Sequence, residues 1–287
     1  MNIDTVGPVI SIWIPWQSRG WNSGPVTVLL SADYPPGVAM TQYRLTGSST
    51  WSESIDNHFV VAAPADHSND GANSFECRAI GNDDSIGPSA TCTVKIDTTA
   101  PAVTDDASTG WSKTATTVTL SPFDGGSGVA KTQYRLAGSP AWLNTTANQF
   151  IVAAPADHSN DGVHSYQYQA LDGVGNASAT AACTVGIDTT GPSTAGKAAR
   201  GKKGRAIILM YRIADKLSAK ATAVTLTIRS PRGKLVKRFA LGTRSTNAWL
   251  SVKWKPRAKG RYRYSITAKD LAGNKQTKAS SATIKIK

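Results

Sequence analysis

The chain has 287 residues, a formal net charge of +13, 40% hydrophobic residues and three cysteines. It exceeds the usual size of one compact domain, and its cysteines are too few for a disulfide framework. No apolar run of roughly 18 residues marks a membrane-spanning helix. The charge is divided: residues 1–192 hold 7 Lys and Arg against 17 Asp and Glu, whereas residues 193–287 hold 25 against 2. A net of −10 next to a net of +23 indicates separate domains in different electrostatic environments.

The N-terminal MNIDTVGPVIS has no basic stretch followed by an apolar one, so no secretory signal is legible. Met1 stands just ahead of a repeat boundary, and the chain reads as a fragment or as a start inside a longer gene. Strands are expected at 9–14, 26–33, 40–45, 50–54, 58–63, 73–80 and 90–96, where apolar and polar residues alternate between turn signals. Seven short strands with turns at this spacing are the mark of an antiparallel sandwich. Cys77 and Cys92 fall in two neighbouring strands of this unit, so they either form a bridge or pack as small apolar thiols.

Residues 57–71, NHFVVAAPADHSNDG, return as residues 148–162, NQFIVAAPADHSNDG. The same offset of 91 aligns Thr41–Leu45 with Thr132–Leu136, Trp51 with Trp142 and Cys92 with Cys183. An Ile-Asp-Thr followed by proline recurs at residues 3–8, 96–101 and 187–192. Internal repetition at this period denotes tandem small domains rather than a solenoid. In the second unit Tyr168 stands in place of Cys77, which leaves Cys183 without a partner.

Residues 191–205 are small and basic and are expected to be a flexible linker. Beyond them, Ile207–Asp215, Val224–Arg229, Leu235–Phe239 and Tyr262–Ala268 follow the same strand grammar with different residues. The expected architecture is therefore all-β: three tandem antiparallel β-sandwiches at 1–96, 97–190 and 206–287, with the basic linker before the last.

The pattern Ile-Asp-Thr-Thr-x-Pro, Gln-Tyr-Arg-Leu, Asp-Gly and Leu-Asp-x-x-Gly-Asn resembles the tandem bacterial Ig-like repeats of exported and surface proteins, also called outer-membrane-protein-type repeats. The first unit departs from it at Ile80-Gly81-Asn82-Asp83-Asp84. Residues 206–287, with Trp254, Gly260–Tyr264 and Ala268–Asn274, resemble the Ig-like domain of flagellar-hook-capping proteins. These resemblances imply Ig-like sandwiches, a secreted or cell-surface location and a non-catalytic spacer or adhesive role. The alternative to that role is an accessory region, binding carbohydrate or wall polymer, of a larger exported hydrolase whose catalytic domain lies upstream. Fold analogy alone does not assign function.

Asp66-His67-Ser68 and its copy Asp157-His158-Ser159 contain the residue types of a hydrolytic triad. Adjacent residues do not form the required serine–imidazole–carboxylate chain, so a turn motif is expected and no enzymatic activity. No cofactor is expected; calcium at the domain junctions is the ligand alternative, with Asp97, Asp105, Asp106, Asp172 and Asp188 as candidates, and the stronger reading has them accept turn amides. In the basic region, Lys202, Lys203, Arg205, Arg261 and Arg263 are candidates for polyanion contact. Expected partners are neighbouring domains of a longer chain and an anionic cell-wall polymer or host-surface ligand, with nucleic acid ranked below them. Trp21, Trp51, Trp111 and Trp142 would serve sugar binding only with exposed ring faces.

Overall fold

A computed structural model describes residues 7–276 and 279–287; the boundary motif at residues 3–5 lies outside them. The first unit contains β1 (Val9–Trp13), β2 (Trp21–Asn22), β3 (Val26–Asp33), β4 (Val38–Leu45), β5 (Ser52–Glu53), β6 (His58–Val61), β7 (Gly71–Gly81) and β8 (Ala90–Ile96). The three-stranded sheet β1-β3-β6 faces the five-stranded sheet β2-β8-β7-β4-β5. The expected strands are present. The two-residue β2, which pairs parallel to β8, is too short to show a period in sequence.

The second unit runs β9 (Ala102–Asp105), β10 (Trp111–Ser112), β11 (Thr116–Phe123), β12 (Val129–Leu136), β13 (Leu143–Asn144), β14 (Gln149–Val152), β15 (Gly162–Asp172) and β16 (Ala181–Ile187). The third runs β17 (Ser193–Gly196), β18 (Ala199–Gly201), β19 (Ile207–Ala214), β20 (Lys220–Arg229), β21 (Leu235–Ser245), β22 (Trp249–Trp254), β23 (Gly260–Lys269) and β24 (Ser281–Ile286). Their sheets, β9-β11-β14 with β10-β16-β15-β12-β13 and β17-β19-β22 with β18-β24-β23-β20-β21, repeat the strand order of the first unit. The basic third unit is thus a diverged copy of the same eight-strand plan.

That plan corrects the expected linker at 191–205. Ser193–Gly196 pairs antiparallel with β19, and Ala199–Gly201 pairs parallel with β24. The small residues there serve close packing: a Cβ on Gly196 would come within 2.9 Å of both the Ala282 Cβ and the Tyr264 hydroxyl oxygen. That hydroxyl also donates to the carbonyls of Lys197 and Met210, at 2.7 and 2.6 Å, tying the segment to the core.

Period-two alternation builds three separate cores. Val26, Val28 and Leu30 are buried on β3, and Ala282, Ile284 and Ile286 on β24. Tyr43 stacks on Phe59 at 4.2 Å between ring centres, and Tyr134 on Phe150 at 4.4 Å. In the third unit Tyr211 and Tyr264 fill the corresponding interior. No apolar cluster among the described residues combines side chains of two units.

Cys77, Cys92 and Cys183 are free thiols. Cys77 stands opposite Ala90 and Cys92 opposite Phe75, so the first two form a diagonal pair. Hydrogen bonding to Cys92 and burial push the Cys77 thiol far above its ordinary range.

Leu226 is fully buried in the third core. Leu226→Ala is expected to cost that unit about 2–5 kcal/mol and to displace one calorimetric transition, leaving the others in place. Displacement of every transition would contradict separate cores.

Candidate functional site: two clamped joints

The repeated loop is held in the same form in both units. The Asn69 side-chain amide donates to the Ala62 carbonyl at 2.9 Å, and Asn160 to that of Ala153 at 2.5 Å. Asp66 accepts the Ser68 amide at 3.1 Å, and Asp157 that of Ser159 at 3.0 Å, a local turn that leaves neither carboxylate to orient a histidine. His67 and His158 take left-handed backbone with φ of 61° and 60°. Such strain in a non-glycine residue persists where the surroundings over-determine it.

Those surroundings are the segment leading into the next unit. His67 Nδ1 lies 2.7 Å from Thr98 Oγ1, and His158 Nδ1 2.6 Å from Thr189 Oγ1. Asp70 accepts the Thr98 amide at 3.0 Å, the Thr98 hydroxyl at 2.8 Å and the Thr99 hydroxyl at 2.6 Å. Asp161 does the same with the Thr189 amide at 2.9 Å, the Thr189 hydroxyl at 2.6 Å and the Thr190 hydroxyl at 2.7 Å. Burial raises the Asp70 and Asp161 carboxyls, but these donors outweigh it and hold both below their ordinary values. The histidines therefore face threonines of the following segment, and the triad geometry is absent.

The following unit grips the same segment from its other side. Asn176 donates to the Asp97 carbonyl at 3.0 Å, and Asn274 to that of Asp188 at 2.6 Å. Asp97 Oδ2 accepts the Ser127 amide at 2.6 Å, and Asp188 Oδ2 the Ser218 hydroxyl at 3.2 Å. Gly126 is required here, because a Cβ would lie 2.4 Å from the Asp97 carboxyl carbon.

Each grip brings three carboxylates together. One oxygen from each of Asp97, Asp124 and Asp172 lies within 4.8 Å of the others, and the same holds for Asp188, Asp215 and Asp270. Asp97, Asp172, Asp188 and Asp270 are buried, and none of the six forms an ion pair with a Lys or Arg among the described residues. Repulsion at this separation is on the order of 3 kcal/mol per charged pair at an effective dielectric near 20. Burial first, then the charges of Asp270 and Asp215, push the Asp188 carboxyl up to about 6. Hard oxygen donors converging in this way suit a calcium-like cation. The first unit lacks the arrangement: Asp33 occupies the place of Asp124, but Gly81 occupies that of Asp172.

Of the five aspartates expected to hold metal, Asp97, Asp172 and Asp188 enter these trios. Asp105 and Asp106 do not. Asp105 accepts the Tyr168 hydroxyl at 2.6 Å and the Ala107 amide at 2.9 Å, while Asp106 accepts the Thr119 amide at 2.7 Å. Sequence reasoning missed Asp124, Asp215 and Asp270. The signal was present, since Asp124 and Asp215 share the 91-residue offset of Asp97 and Asp188, and Asp172 and Asp270 each open an Asp-x-x-Gly-Asn turn.

Cations stand over three of the four candidate tryptophans. The guanidinium groups of Arg44 and Arg78 lie 4.4 and 4.1 Å from the Trp51 ring centre, and that of Arg135 4.3 Å from Trp142. Trp21 has Lys95 at 5.7 Å, and Trp111 packs against Gly186. These rings do not form an open stacking row. Lys202, Lys203 and Arg205 are exposed beyond β18, and Arg261 and Arg263 project outward from β23.

The Asp188 shift fixes a pH dependence. A carboxyl raised from 3.8 to about 6 contributes stability that is fully present below pH 3.8 and lost as pH rises through about 6. In chelator, Asp188→Asn is expected to gain melting temperature relative to the parent chain across that interval. A constant difference from pH 3 to pH 7 would contradict the clustered charges.

No family model matches the sequence, and no curated protein does. Among solved structures the chain is similar to the chicken CNTN1 FN1–FN3 domains, at 14% identity and a TM-score of 0.31, covering 97% of this chain and 99% of that one. It is similar to Sidekick-1 immunoglobulin domains 1–5 at 11% identity and a TM-score of 0.45, covering 98% of this chain and 59% of that one. The D00–D0 domain of intimin is similar at 15% identity and a TM-score of 0.32, with 65% and 99% covered. The repeated pairing of three- and five-stranded sheets makes the chain a tandem of Ig-like β-sandwiches.

Proposed function

We propose that the chain is a non-catalytic structural and adhesive spacer of an exported or cell-surface bacterial protein, with joints that resist bending. The observation that carries this reading is the joint itself. The same histidine, aspartate and two threonines meet at both junctions through matching hydrogen bonds. A joint gripped by the unit before and the unit after has few backbone torsions left free. Pro101 and Pro192 fix φ just beyond each gripped segment. A series of such units sets distance and direction for whatever it carries.

Calcium is assigned to the trios Asp97/Asp124/Asp172 and Asp188/Asp215/Asp270. Its support is two groups of like composition, each with three carboxylates, two of them buried, and no basic ion-pair partner among the described residues. The ion would neutralise the repulsion and link the gripped segment to the unit that follows.

Small-angle scattering of the intact chain and of the Asp70→Ala/Asp161→Ala variant tests the spacer. The parent is expected to give one narrow particle length of ~90–120 Å, from strands rising 3.2–3.4 Å per residue. The variant is expected to give a broad distribution with each sandwich still folded. Equal breadth in both would remove the stiff joint. Titration calorimetry with calcium chloride should give two sites in the parent and one in Asp97→Asn/Asp124→Asn. Absence of heat in the parent would withdraw the ion and leave the hydrogen-bonded joint.

A further inference from the structure

The third unit presents cations on the outer face of its five-stranded sheet in a like-charge register; Arg229 also donates to the Gly233 carbonyl at 2.9 Å. Arg200 on β18 stands opposite Lys285 on β24, which stands opposite Arg261 on β23. In the next row on that face Arg263 of β23 stands opposite Arg229 of β20. All five side chains are exposed. Strands lie about 4.8 Å apart, so the first row places three positive charges across ~10 Å, with the second row ~7 Å further along the strands. Like charges directly opposite in a sheet oppose its stability.

Nothing among the described residues offsets them. Asp215 and Asp270 are the only acidic residues beyond position 192, and both belong to the carboxylate trio. Asp270 directly follows β23, whereas Arg261 and Arg263 lie at its start, so the unit's two acidic residues sit at the joint end and these arginines at the far end. The expected polyanion residues gather there as well: the Lys203 amide donates to the Lys287 carbonyl at 3.0 Å, bringing the loop at 202–205 to the end of β24.

The neighbouring outward positions are hydroxyls, with Thr283 opposite Arg263 and Thr227 opposite Ser265. Aromatic rings are absent from this face among the described residues. Tyr262, Tyr264 and Trp254 are buried in the core, and Phe239 packs against it. A surface that selects bases would present rings for stacking. Arginine forks beside hydroxyls instead match phosphate oxygens.

We propose that this sheet face binds a linear phosphodiester polymer without aromatic bases, of the polyol-phosphate type, which lies across β18, β24, β23 and β20. This adds a ligand class to the spacer reading, and its test does not involve the joints. Inorganic polyphosphate serves as the probe and oligo(dT) of equal phosphate number as the rival, with fluorescence anisotropy of the full chain over a salt series. Polyphosphate is expected to bind more tightly than oligo(dT). The slope of log K against log salt should fall by about 2 in Arg261→Gln/Arg263→Gln/Lys285→Gln, at about 0.7 per cation removed.

The joint-end variant Lys216→Gln/Lys220→Gln/Lys269→Gln removes equal charge and is expected to keep the parent slope. Arg261→Lys/Arg263→Lys should keep most of the affinity, which separates charge from folding. Equal losses in both glutamine variants would reduce the site to net charge and overturn the proposal. Tighter binding of oligo(dT) would assign the face to nucleic acid and overturn it equally.

Discussion

The arrangement of this protein depends on how Asp-Thr-Thr is held between successive sandwiches. Both threonine hydroxyls and the first threonine's amide point back into an aspartate of the preceding unit, at 2.6–3.0 Å in the first joint. The aspartate before them points forward into the next unit's loops. A connection of this length would swing freely if its polar groups were satisfied by water. Here charge-assisted bonds, which are shorter and stronger than neutral ones, fix it from both sides. The three cores share no side chains, so the joints alone convert independent folding units into an oriented series.

Much of this was legible in the sequence. The duplicated NDG loop and the period-two strands pointed to the sandwich and its strand positions, because each follows from local turn chemistry and burial. The errors came from composition. Residues 191–205 look like a linker because they are small and basic, but Gly196 is small in order to meet Tyr264, and Arg200 lies on a strand. Smallness denotes either freedom or tight contact, and sequence without partners does not distinguish them.

The site was half legible for a related reason. Asp97 and Asp188 were visible as boundary residues, but Asp124 and Asp215 occupy a loop whose approach to the boundary depends on the sandwich closing. Asp105 looked equivalent and instead satisfies the Tyr168 hydroxyl across the sheets. That tyrosine replaces Cys77 of the first unit, so a core substitution and a strand-end aspartate are coupled. Neither residue alone reveals the coupling.

Among the described residues the middle unit shows both halves of a joint. It carries Asp161 and His158 at one end and the Asp97-Thr98-Thr99 segment with its receiving loops at the other. Its trailing end therefore complements its own leading end. Gene duplication of this unit alone would lengthen the array in frame without any new contact having to evolve. Reach becomes a matter of copy number, open to change by recombination faster than by point substitution.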